Sequence, residues 1–301
     1  MSYIYFPGCS LRSTGRGYEE SLLEVCRALD LPVDELEDWN CCGATSYMSV
    51  DESKAFALSA RNLALAEKQA HSSSDIQMMV PCAACYLGLN KAQHYLKEFP
   101  DIRARVNKAL SSAGLVYSGQ ARIRHPLDIF TNDVGLDKIA AKMTKPLKGM
   151  KIACYYGCQL VRPYADFDDQ HNPTTMGKIM TALGAEVIDW PLKTRCCGGS
   201  LTGTIEDVGL RLSYVILAEA HKRGCDAIAT ACPLCQFNLE CYQGKMNRRY
   251  GLNGTVPVVY FTQLMGMAFG LSEKKLGLKR LFVPLPERGA VAAEGGAHVR
   301  G

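Results

Sequence analysis

Hydrophobic and polar positions along the chain switch repeatedly between a period of two and a period near 3.6. Residues 3–6 (YIYF) form a short aromatic and β-branched run leading to Gly8-Cys9. Residues 17–29 place Leu22, Leu23, Cys26 and Leu29 at helical spacing. Residues 51–70 are rich in Ala, Leu, Lys and Glu and predict a long helix, with Asp51 as its N-cap. Residues 75–80 (DIQMMV) predict a strand ending at Pro81-Cys82, with a helix from about Ala84. The second half repeats the order. It predicts a strand over 150–156, a helix capped by Asn172 or Thr174 and ended by Gly184, and a strand over 186–189. A long helix over 206–223, a strand over 226–230 and a helix opened by Cys232 follow, then a strand over 256–260 and a helix over 262–269. The alternation predicts the α/β class, with small, mainly parallel sheets flanked by helices.

The repetition extends to individual residues. Cys9, Cys41-Cys42-Gly43 and Cys82-x-x-Cys85 recur as Cys158, Cys196-Cys197-Gly198 and Cys232-x-x-Cys235, at offsets of 149, 155 and 150 residues. Both tryptophans stand in Asp-Trp pairs, Asp38-Trp39 and Asp189-Trp190, just before the paired cysteines. An internal duplication with two pseudo-twofold lobes accounts for this. The lobes are expected at 1–148 and 149–289, followed by a small, Gly-rich and disordered tail at 290–301. A Lys-rich helix over 132–149, ended by Pro146 and Gly149, is expected to join them.

Composition narrows the chemistry. The 301 residues carry a net charge of +4, too small to argue for nucleic acid, and fourteen cysteines. The first residues lack the basic and apolar regions of a signal peptide, and no run approaches a membrane span. A reducing, cytoplasmic setting is therefore expected, in which cysteines serve as ligands or reactive groups more often than as disulfides. A peripheral link to a membrane through partners stays compatible with the sequence. No glycine-rich dinucleotide or P-loop motif is present, and the six histidines show no metal-like spacing. His125 and His171 are loop-like and read as surface or cap-region residues rather than proton donors. Lys193 and Arg195 read as exposed charges beside the second cysteine pair.

Each half thus offers five thiols: Cys9, Cys41, Cys42, Cys82 and Cys85, then Cys158, Cys196, Cys197, Cys232 and Cys235. A Cys-x-x-Cys at a helix start brings two sulfurs together where the terminal amides favour thiolate charge. Adjacent cysteines diverge, so they chelate one small ion poorly but reach neighbouring irons of a cluster. Structural zinc and ordinary cubane clusters each take four ligands. Five, repeated, fits a larger or opened iron–sulfur cluster, with zinc in one half as the alternative. Gly43 and Gly198-Gly199 let backbone amides approach the sulfurs. Cys26, Cys225 and Cys241 read as core thiols. Cys154, four residues before Cys158, is a rival ligand, but its counterpart in the first half is the strand residue Tyr5.

These motifs, FPGC, PCAAC, YYGCQL, CCGG and CPLCQ, with the later segment VPVVYFTQLMGMAFGL, resemble the B subunit of heterodisulfide reductase over nearly the whole chain. The resemblance implies two noncubane 4Fe–4S clusters, one on each set of five cysteines, that together cleave a disulfide. It implies electrons arriving singly from an iron–sulfur C-type subunit, relayed from a flavin-bearing A-type subunit. The substrate expected is a small disulfide or a carrier-bound sulfur species. The same domain occurs in unusual succinate or fumarate reductases, so an electron-transfer subunit of a quinone-linked complex is the alternative expectation.

Overall fold

Each half places its first strand in the middle of a sheet, where both faces are covered and apolar side chains are required. The computed structural model describes residues 2–44, 46–70, 75–251 and 254–286. Its strands are β1 (Tyr3–Tyr5), β2 (Val33–Glu35), β3 (Gln77–Met79), β4 (Arg122–Arg124), β5 (Lys151–Tyr155), β6 (Glu186–Val187), β7 (Ala227–Thr230) and β8 (Val258–Tyr260). The described residues form two four-stranded sheets, ordered β2-β1-β3-β4 and β6-β5-β7-β8, and every pairing is parallel. The identical order is the duplication expressed as topology. The central strands β1, β3, β5 and β7 are almost wholly buried, which explains their continuous apolar runs.

The register fixes the equivalence of the halves. Tyr5 pairs with Met79 and Cys154 pairs with Ala229, so Cys154 does occupy the position of Tyr5. Met79 pairs with Arg124 and Ala229 with Val259, which makes His125 the counterpart of Tyr260. The tryptophans brace the same strand ends. Trp39 meets Phe6 edge-on at 5.8 Å, and Trp190 packs on Tyr155 at 6.2 Å while its Nε1 donates to the Cys154 carbonyl.

The helices expected from the sequence lie at Arg16–Ala28, Glu52–Gln69, Ala83–Glu98, Thr175–Ala182, Glu206–Lys222, Pro233–Cys241 and Phe261–Ala268. Asp51 caps its helix by accepting from the Lys54 amide. Two expectations are met only in part. Thr174 is the N-cap residue of Thr175–Ala182, as expected, but its side chain makes no capping hydrogen bond. Asp168, reaching back from the preceding loop, accepts from the amides of Thr174 and Thr175 and from the Thr175 hydroxyl. The joining helix is also much shorter than 132–149. It covers Leu136–Ala141 after a π-helical turn at Ile129–Val134. The amides of Thr144 and Lys145 donate to the Ala268 carbonyl instead of continuing the helix. The expected boundary at 148/149 falls in the connection to β5, and the segment 290–301 lies outside the described residues.

The lobes exchange helix contacts across the pseudo-twofold. Arg16–Ala28 of the first lobe packs on Phe261–Ala268 of the second, while Thr175–Ala182 packs on Leu136–Ala141. Within the first of these contacts, the buried hydroxyls of Ser21 and Thr262 lie 2.6 Å apart.

Candidate functional site

The carboxyl ends of the strands collect the motif cysteines, as expected for parallel sheets whose connections diverge on either side of the first strand. Cys9 follows β1 in the short helix Gly8–Leu11, and Cys41-Cys42 lies in the loop after β2. Cys82, after β3, is the N-cap residue of Ala83–Glu98, which also carries Cys85. In the second lobe Cys158 follows β5 at a bend, Cys196-Cys197 lies in the loop after β6, and Cys232 is the N-cap of Pro233–Cys241.

All ten residues come together as two sets. In the first, the sulfurs of Cys41 and Cys9 are 3.8 Å apart and those of Cys42 and Cys85 are 3.2 Å apart. In the second, Cys197 and Cys235 are 3.5 Å apart, and Cys158 and Cys196 shift each other's ionisation. Among the described residues the sets approach one another at Cys82 and Cys232, each of which shifts the ionisation of the other across the lobes. Cys9 and Cys41 are exposed, and Cys158 and Cys196 half-exposed, whereas the other six are buried. Cys158, not Cys154, stands with its set. Cys154 is buried in β5 and feels Lys193 and Cys225 rather than any motif cysteine. Cys26 is in the core, while Cys225 and Cys241 are only half-buried.

Electrostatics shows what five crowded thiols demand. Hydrogen bonds from Cys42 and Cys9 lower Cys41 to about 2, and its thiolate in turn pushes Cys42 up to about 12. Cys196 falls to about 6 through Cys158, the Gly198 amide, and the positive charges of Arg162 and Arg195. Cys9, Cys85, Cys158 and Cys235 are pushed up, each first by hydrogen bonding to a neighbouring cysteine. Cys232 rises to about 12, because Cys82 and burial outweigh the lowering by Cys235. The crowding thus lowers a few thiols, Cys41 and Cys196 among them, and holds most of their neighbours protonated. Ionising a whole set requires compensating cationic charge, which several metal ions would bring.

The polypeptide fits an iron–sulfur group on three observations. The sulfurs meet as close pairs within each set. Backbone amides point at sulfur: Gly198 donates to Cys196 at 3.3 Å, and Gly43 and Gly199 donate to Cys41 and Cys197. Gly43, Gly198 and Gly199 all have positive φ. Gly8 and Gly157 supply close approach as well. With φ of +67° and +71°, a Cβ would stand 2.9 Å from the Cys85 sulfur and 3.1 Å from the Cys235 sulfur.

Several supporting residues escaped the sequence reading. Ser59 and Ser213, buried in the long helices of the two lobes, each donate to the carbonyl of the second cysteine of a pair, Cys42 or Cys197, at 2.8 Å. Their matching place in the repeat was the available signal. Asn238 donates to the Cys197 sulfur at 3.5 Å, and Arg162 adds charge near Cys196. Lys193 is not a free exposed charge, since it pairs with Asp189 at 3.1 Å and donates to Asn172. His125 caps a turn, as a cap-region residue should, but it is fully buried. Its Nδ1 accepts from the Leu127 amide and its Nε2 donates to the Pro81 carbonyl at 3.0 Å. The ring lies parallel to Phe167 of the second lobe, 6.1 Å away. His71 and His298 lie outside the described residues.

Residues 3–90 and 152–240 each match the family model described as a cysteine-rich domain. A protein of Archaeoglobus profundus, named as like the B subunit of heterodisulfide reductase, is 30% identical over 92% of this chain and 93% of its own length. The chain belongs to the family of heterodisulfide reductase B subunits, proteins made of cysteine-rich domains. The B subunit of a ferredoxin:CoB-CoM heterodisulfide reductase of Methanosarcina mazei is 29% identical over 91% of both chains. The 8-methylmenaquinol:fumarate reductase membrane anchor subunit of Wolinella succinogenes is 31% identical over 92% of this chain and 95% of that one. The crystal structure of a hypothetical protein from Helicobacter pylori shares the fold, with a TM-score of 0.73 at 16% identity over 95% of this chain. The chain spans about half, 52%, of that protein.

Proposed function

We propose that the chain is the catalytic subunit of a heterodisulfide reductase-like complex, interconverting a disulfide and two thiols at two noncubane 4Fe–4S clusters. Cys9, Cys41, Cys42, Cys82 and Cys85 would hold one cluster, and Cys158, Cys196, Cys197, Cys232 and Cys235 the other. Such clusters supply one-electron steps and affinity for sulfur, so a two-electron reaction divides between two centres. The observation that carries the reading is the completeness of both five-thiol sets together with their meeting at Cys82 and Cys232. A relay needs neither an opened cluster nor two abutting sets.

The residues around the sets have defined tasks in this reading. Amide donors stabilise negative charge on the sulfurs, and the Ser59 and Ser213 hydroxyls hold the backbone of each cysteine pair. The six buried cysteines keep the seam dry, while exposed Cys9 and Cys41 face the outside, where an electron-delivering partner docks. Relatives named as subunits of larger reductases support a hetero-oligomer, with an iron–sulfur C-type and a flavin-bearing A-type subunit as the partners proposed. No helix among the described residues is long and apolar enough to cross a membrane. A cytoplasmic protein, held at a membrane only through partners, is the localisation proposed.

A second reading is favoured by the fumarate reductase relative: an electron-transfer subunit of a quinone-linked complex. Anaerobic purification, iron and acid-labile sulfide analysis, and EPR with and without thiols and disulfides separate the two. A new paramagnetic species on adding a sulfur compound is the expected result. Iron with no spectral response to any thiol or disulfide would establish the relay instead, and zinc alone would overturn both.

A further inference from the structure

Tyr18 sits at the seam of the lobes, on the helix Arg16–Ala28, and is completely buried. Its ring is fixed from the other lobe. It stacks on Tyr260, with centroids 4.5 Å apart and planes within 8°, and it meets Phe261 edge-on at 6.0 Å. Its hydroxyl has no hydrogen-bond partner, one of four such buried side-chain atoms among the described residues. Phenylalanine would keep both ring contacts and remove the cost of burying an unsatisfied hydroxyl. The surroundings indicate where a partner belongs. Gly15, three residues before Tyr18, approaches Pro233, the neighbour of Cys232, so closely that a Cβ on it would stand 2.9 Å away. Ionisation of Tyr18 is opposed first by burial, then by charge on Tyr260, Cys82 and Cys232. The last two are the cysteines that meet across the lobes.

We propose that the Tyr18 hydroxyl is a hydrogen-bond donor to an anionic sulfur, not part of the polypeptide, held at the junction of Cys82 and Cys232. That sulfur is either a sulfide of the bound cluster or the thiolate of a substrate. The proposal rests on the two-set reading above. Two neighbouring polar groups are already engaged: Tyr260 directs its hydroxyl to Gln236 Oε1 at 3.4 Å, and His125 donates to Pro81. A phenol donor in a dry site favours negative charge on sulfur, and so favours the reduced state of the centre.

Tyr18→Phe tests this in the anaerobically purified chain, with 2-mercaptoethanol as the thiol. Iron and sulfide per chain should match the wild type, and the metal-free chain should melt at the same temperature or higher. The EPR-monitored midpoint potential should move to a more negative value. A shift without thiol assigns the acceptor to the cluster; a shift only with 2-mercaptoethanol assigns it to the thiolate. Midpoints and thiol-induced signals identical to the wild type under both conditions would overturn the proposal while leaving the two-set reading intact. A lower melting temperature of the metal-free variant would also overturn it, because the hydroxyl would then have a protein partner. Absence of iron from the wild type would instead defeat the two-set reading, and the melting comparison would still decide whether the hydroxyl is unpartnered within the polypeptide.

Discussion

His125 shows how far a single residue can depart from its appearance in the sequence. The segment RHPLD is polar and turn-like, yet the imidazole lies at the seam with no exposure at all. Burial pushes it down from 6.5 to about 4, against the opposing effects of the Pro81 and Ala231 carbonyls. The unfolded chain therefore takes up this proton first as the pH falls. Stability contributed by the neutral ring is complete above pH 6.5 and is lost progressively towards pH 4, by up to about 3 kcal/mol. Glu240 works in the opposite direction. Desolvation raises it from 4.5 to about 7, so the folded chain binds its proton first and gains stability as the pH falls through that range. The two trends offset each other in the wild type. His125→Gln, which keeps a donor for Pro81, should leave the Glu240 trend alone, so that urea midpoints rise between pH 7 and pH 5. A variant whose midpoints follow the wild-type profile would show that the imidazole does not titrate with folding.

The helix Thr175–Ala182 shows which elements the sequence makes legible and which it does not. Gly184 at its end announced it, as an Ala-, Leu-, Lys- and Glu-rich composition announced Glu52–Gln69, because stop signals and helix propensity act locally. The side chain that caps it did not announce itself. Asp168 lies seven residues before Thr175, beyond the local spacing at which capping residues are sought, and the folded-back loop brings it into place. Asp168→Ala should therefore cost about 1–2 kcal/mol in thermal or denaturant unfolding, whereas Thr174→Ala should be nearly neutral. Equal effects of the two changes would restore the Thr174 side chain as the capping group. The edge strands β2 and β4 were illegible for a related reason. VDE and RIR carry charged residues at the margins of the sheets, where parallel pairing to β1 and β3, not side-chain pattern, makes them strands. The cysteine positions were readable because their types and spacings are set by sulfur chemistry rather than by packing. Ser59, Ser213 and Tyr18 were not, since an ordinary serine or tyrosine in a helix acquires meaning only from what the fold places beside it.

At the scale of the whole molecule the duplication packs two lobes against each other through their helices, while the two sulfur sets approach one another only at Cys82 and Cys232 among the described residues. The other close sulfur pairs lie within a lobe, among them Cys9 with Cys41, Cys42 with Cys85 and Cys197 with Cys235. Each set also has its own amide donors and its own serine clamp. Losing an outer thiol should consequently stay local. Cys41→Ser should remove or convert the iron–sulfur group of the first lobe and leave the second, and Cys196→Ser should do the reverse. Iron per chain then falls to roughly half when the group is lost, and the two variants give complementary EPR spectra that together reproduce the wild type. Cys82 and Cys232 differ from the other eight because each borders both sets. Cys82→Ser should alter the spectrum of the second set as well as that of the first. Loss of all iron from either outer variant would contradict the independence of the lobes. An unperturbed second set in Cys82→Ser would show that the two sets do not communicate through the junction.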